Sequence, residues 1–191
     1  MLSVPLRTLL PVKDDVISEV AAWVREQVVG WNLCPFARRE LVNETIRFRV
    51  SEAEDEEALL LALAEEIQFL DRQSDVETTL LIHPKTLRRF DDYNEFLGLA
   101  VALLADLERE GVYQIASFHP QYQFDGTQPD DPENYTNRSP YPLLHLLRED
   151  SLSDAVDNHP DVQQIPIDNI ALMNRMGIEK LRRAFPWTSR S

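Results

Sequence analysis

Two histidines close apolar runs and precede prolines: Thr78-Thr79-Leu80-Leu81-Ile82-His83-Pro84 and Tyr113-Gln114-Ile115-Ala116-Ser117-Phe118-His119-Pro120. Both runs read as buried strands, and a long helical pattern separates them. Strands joined that way are normally parallel, so both imidazoles are expected on one sheet edge. Beyond the carboxyl ends of its strands is where an open α/β sheet binds ligands. Neighbouring strands lie ~4.8 Å apart, so His83 and His119 could share one metal ion or act as acid and base. Cys34 as a thiolate would complete a zinc site. Asp125 in its place would give the two-histidine, one-carboxylate set of non-haem iron. None of these residues falls at a short diagnostic spacing. A histidine before a proline can equally cap its strand and bond to backbone.

Cys34 is the only cysteine. Beside His83 or His119 it could be a nucleophile, because imidazolium stabilises a thiolate. Flanked by Leu33 and Pro35-Phe36, it can equally be a small buried hydrophobe. Asn137, Arg138 and Ser139 suggest an anion subsite. The expected helix Leu143–Asp150 would present its amino end there, with Ser139 as cap and Arg138 as a planar fork for carboxylate or phosphate. His145 would lie one turn past Tyr141 and face the loop as a further catalytic candidate, or pair with Glu149 on the surface. His159 reads as a helix terminator.

These positions need elements to hold them. Val16, Val20, Trp23, Val24 and Val28 recur at helical spacing, predicting a first helix over 16–29 that Asp14 or Asp15 caps and Gly30 ends in a left-handed conformation. Residues 45–50 alternate as a half-buried strand. Ser51 and Glu54 suggest a capping box for a helix to Asp71, with the acidic run 52–57 in its first turn. A third helix is expected over 88–110, closed by Gly111. The 120–139 segment has no periodicity but carries Tyr122, Phe124 and Tyr135, so it reads as a binding loop over the sheet edge, with Tyr122 available to a substrate. Helical segments are expected over 151–158, 166–176 and 178–185. The pattern implies an α/β fold: a small, mostly parallel sheet flanked by helices, with a helical C-terminal part. A further edge strand could lie near 9–13 or 162–165.

Composition narrows the partners. The 191 residues carry a net charge of -14, with 43% hydrophobic residues. That suits one globular domain over 1–191, with residues 1–12 as an arm. An acidic chain repels phosphate backbones, so nucleic acid and anionic membranes are not expected partners. One cysteine allows no internal disulfide, and the start of the chain does not resemble a signal peptide. A cytoplasmic protein is expected.

The segments Trp31–Ala37, Phe118–Phe124 and Asn137–Pro142 with Leu144–Glu149 resemble those of a bacterial family, domain of unknown function 1415. The resemblance covers most of the chain. It implies a soluble bacterial protein and carries no reaction to any residue. The expectation is therefore an enzyme acting on a small anionic molecule through a His/Cys site, with zinc or iron as the metal it could use. The alternative is a non-catalytic module that binds a small ligand, a metal or a partner protein.

Overall fold

The computed structural model describes residues 12–151 and 162–189. Strands β1 (Ile46–Val50), β2 (Thr78–Ile82), β3 (Tyr113–Phe118) and β4 (Leu143–Arg148) form one sheet in the order β1-β2-β4-β3. β1 pairs parallel with β2, while β4 runs antiparallel to both β2 and β3. The expected mostly parallel sheet is thus a mixed one. The cause is one element: Leu143–Arg148, expected as a helix, is a strand inserted between the two histidine-bearing strands. Leu143, Leu144 and Leu146 are all buried. A strand covered on both faces shows no alternation, and its leucines then imitate a helix.

The two faces bury different helices. Helix α1 (Lys13–Trp23) and the π-helical turn Val24–Val29 supply Val16, Val20, Trp23 and Val24, which pack with Val50, Leu80, Ile82 and Leu143. Helices α3 (Glu56–Arg72) and α4 (Phe90–Asp106) supply Leu59, Leu63, Ile67, Tyr93 and Phe96, which pack with Leu81, Leu144 and Leu146. A short helix α2 (Ala37–Val42) precedes β1, and α5 (Gln164–Met176) and α6 (Ile178–Ala184) follow the sheet. Met173, Leu181 and Phe185 join the α1 layer. Among the described residues no helix is long and apolar enough to cross a membrane.

Several local expectations change. Gly30 is right-handed, at φ -65, and Asn32 takes the left-handed conformation instead, at φ 57. Gly30 is needed for close approach, since a Cβ there would collide with the Glu26 carbonyl. That crowding comes from the π-turn, where the Gly30 amide reaches Arg25 O at 3.1 Å and the Leu33 amide reaches Val28 O at 2.9 Å. The α3 cap is Asp55, which accepts from the Ala58 amide at 2.8 Å; Ser51 takes the Ala53 amide instead. No strand forms at 162–165, where Gln164 already begins α5. The expected arm, most of the other edge strand, the 151–158 helix and His159 lie outside the described residues.

Candidate functional site

His83 and His119 leave the same sheet edge, because β2 and β3 both oppose β4. They are two strands apart, ~10 Å in backbone terms, rather than adjacent. The Tyr93 ring fills the gap, 5.8 Å from the His83 ring and 5.2 Å from that of His119. Its hydroxyl accepts from the Phe118 amide at 3.0 Å and donates to Leu143 O at 2.8 Å. His119 spends both nitrogens on the chain: Nδ1 accepts from the Gln121 amide at 3.0 Å, and Nε2–H donates to Leu87 O at 3.2 Å. The Nδ1–H of His83 donates to Thr86 O at 3.0 Å, leaving Nε2 buried without a partner. Burial, above all, drops both histidines to pKa about 4. The pair is neutral and seals the end of the sheet.

Cys34 does not join them, and Asp125 is exposed on the loop. Among the described residues no group of three or more His, Cys, Asp or Glu could hold a metal ion. The zinc and iron arrangements expected for His83, His119, Cys34 and Asp125 are therefore not assembled.

The expected anion subsite also changes. With Leu143–Arg148 a strand, the expected helix amino end beside Arg138 and Ser139 is not formed. Asn137 donates to Ser117 O at 3.2 Å and Ser139 to Tyr141 O at 2.7 Å. The Arg138 guanidinium donates to Tyr122 O at 3.3 Å and Pro129 O at 2.6 Å, stacked 4.2 Å over Tyr135. It ties down the loop, helped by the buried Asn134, which receives the Phe124 amide and donates to Gln128 O. Arg138 still borders a polar cleft of about 740 Å³, together with Arg89, Arg182, Asp91 and Asp130. Arg182 is paired there with Asp130 at 2.9 Å.

The structure instead brings Cys34 to the same cavity as His145, which lies on a strand rather than the expected helix. His145 sits in the middle of β4, opposite Leu80 on one side and Ala116 on the other. Above it lies an apolar cavity of about 250 Å³. Ile46, Leu80, Ala116, Leu147 and His145 line it from the sheet, and Trp23, Val28, Cys34 and Phe36 line it from the helical side. The small Ala116 beside a flat imidazole leaves the sheet face hollow. A second cavity of about 360 Å³, reaching Asn169 and Ile170, also meets Val28, Cys34 and Phe118.

Hydrogen bonds fix the His145 tautomer. The Thr78 hydroxyl donates its one proton to Leu146 O at 2.5 Å, so it must accept from His145 Nε2–H at 2.7 Å. Burial lowers His145 to pKa about 4, so the ring is neutral with Nδ1 unprotonated. Burial raises the Cys34 thiol above its ordinary range, against a smaller opposing effect of the Phe36 and Ala37 amides. Two neutral groups thus face an apolar volume. Thr78 and Ala116 gave no sign in sequence, because their roles depend on the register with β4.

A family described as a protein of unknown function (DUF1415) matches residues 15–183 of the chain. No curated protein and no solved structure matches it.

Proposed function

The chain belongs to the DUF1415 family, and we propose that it binds a small, mainly apolar molecule in the cavity between the sheet and the π-helical turn. The volume supports this reading. An apolar cavity of ~150 Å³ can hold a benzene, and this one is about 250 Å³. Leaving it empty forgoes packing contacts that a ligand would restore. A π-turn displaces the helix from regular packing, and such turns recur at functional sites.

The ionisation states favour binding over covalent catalysis. A nucleophilic cysteine needs thiolate character and a basic neighbour. Burial pushes Cys34 the other way, and among the described residues no hydrogen bond links its thiol to His145.

Toluene is the first probe. Millimolar toluene should raise the Tm of the wild type but not that of Ala116→Leu, which fills the cavity and should melt no lower than wild type. An equal shift in both proteins, or in neither, would sink the reading. Native mass spectrometry of the freshly purified protein would show a co-purifying ligand directly.

One observation favours a second reading, an enzyme or binder acting on a small anion in the cytoplasm. Arg89, Arg138 and Arg182 border one cleft at the 120–139 loop. Their acidic partners limit its net charge, so phosphate binding should be weak and should disappear in Arg182→Ala. Calorimetry with inorganic phosphate tests this separately from the cavity.

A further inference from the structure

We infer that the cavity selects ligands bearing one neutral hydrogen-bond donor, a phenol or small alcohol on an apolar frame, and that His145 Nδ1 is the group that reads it. This rests on the cavity being a ligand site and specifies what that ligand must carry.

The argument follows the protons. Leu146 O can only accept, so the Thr78 hydroxyl must donate to it. Thr78 then has only a lone pair for His145, which must place its proton on Nε2. Nδ1 is left as an acceptor, and no described group donates to it. His145 is half-buried, and the surface it leaves open faces the cavity. The ring nitrogens of His119 are both consumed, and the spare nitrogen of His83 is sealed. Of these three rings, His145 alone combines a free acceptor with space in front of it.

The surroundings define the ligand. The cavity surface is mainly apolar, with Trp23, Leu80 and Phe118 in its wall, although Glu40, Glu77 and Arg148 also line it. An apolar wall disfavours a charged ligand, and a lone-pair acceptor gives no hydrogen bond to a carbonyl or ether. A ligand without a donor leaves Nδ1 dry and unpaired, which carries a desolvation cost. A hydroxyl on a ring or branched alkyl body satisfies both demands. Thr78 borders the same cavity, and its hydroxyl, spent between Leu146 O and His145, sets the tautomer that His145 presents.

The test compares p-cresol with toluene, a pair that differs by one hydroxyl. Calorimetric titration of wild type should give p-cresol binding at least as tight as toluene. In His145→Phe the ratio should swing about tenfold or more toward toluene, as expected for losing one buried acceptor. An unchanged ratio, with toluene still bound, would overturn the inference and leave the cavity reading intact. If neither compound binds wild type, both fail. Imidazole ¹⁵N NMR of wild type keeps the inference testable even if His145→Phe does not fold. Nδ1 should show an unprotonated shift in the free protein and move when p-cresol is added, but not when toluene is. A protonated Nδ1, or no difference between the two compounds, would overturn it.

Discussion

The sheet edge and the cavity each hold a histidine driven to pKa about 4 by burial. They differ in what remains of the ring. His119 gives both nitrogens to backbone groups and packs against Tyr93 and Phe90. His145 gives one nitrogen to Thr78 and keeps the other at an apolar space. Burial and ionisation therefore do not distinguish a structural histidine from a recognition histidine. The difference lies in spare hydrogen-bonding capacity beside unfilled volume.

Acidification should produce the largest effect, because it acts on both regions. In the unfolded chain each histidine titrates near 6.5, while folded His83, His119 and His145 titrate at about 4. The unfolded state therefore binds protons that the native state refuses. Their contribution to stability is complete above pH ~6.5, falls as pH drops, and is exhausted below about 4. Each can contribute at most ~3 kcal/mol. Urea unfolding between pH 7.5 and 4.5 should show this decline. His145→Phe should make it shallower by up to ~1.4 kcal/mol per pH unit, the value for one proton. Equal slopes for the two proteins would mean that His145 titrates normally.

Tyr93→Phe attacks the sheet edge alone. It leaves the Phe118 amide and Leu143 O without their shared hydroxyl. With a cost of ~1–3 kcal/mol for a buried group left unpaired, the loss should be about 3 kcal/mol. For a chain of this size that corresponds to roughly 10 °C in Tm. Toluene affinity should stay within about twofold, since Tyr93 lies on the opposite face of the sheet. A large loss of affinity would show that the edge and cavity are one site.

How far this arrangement can be read from sequence depends on whether a residue's neighbours are local. β1, β2 and β3 follow from short apolar or alternating runs, and α3 and α4 follow from their helical stripes. Cys34 and His145 were identifiable as residue types that could do chemistry. Their association was not, because it depends on Leu143–Arg148 being a central strand. Pro140 and Pro142 suit a helix's first turn as well as they suit a strand's approach. Arg138 was legible as a guanidinium worth placing, but its carbonyl partners Tyr122 and Pro129 come from a loop without periodicity. The π-turn was hidden because Val24 and Val28 fit an ordinary helical stripe.

Filling the cavity should have a smaller, opposite effect on stability. Ala116→Leu adds apolar volume beside His145, its register partner in β4. If the space accepts the side chain without strain, stability should rise by about 1 kcal/mol. The same variant should no longer bind toluene. A destabilisation of more than ~2 kcal/mol would indicate overpacking, and hence a cavity narrower than its outline.

Cys34→Ala should have the least effect and is the sharpest test of catalysis against binding. The thiol lines the cavity without an imidazole partner, and burial holds it in its neutral form. Removing one sulfur from the wall should change toluene affinity by about threefold or less and stability by about 1 kcal/mol. Iodoacetamide should alkylate Cys34 more slowly than a free thiol at pH 7.5, and saturating toluene should slow it further. Rapid alkylation that depends on His145 would reverse the assignment. It would require a thiolate–imidazolium pair in solution and restore Cys34 as a nucleophile.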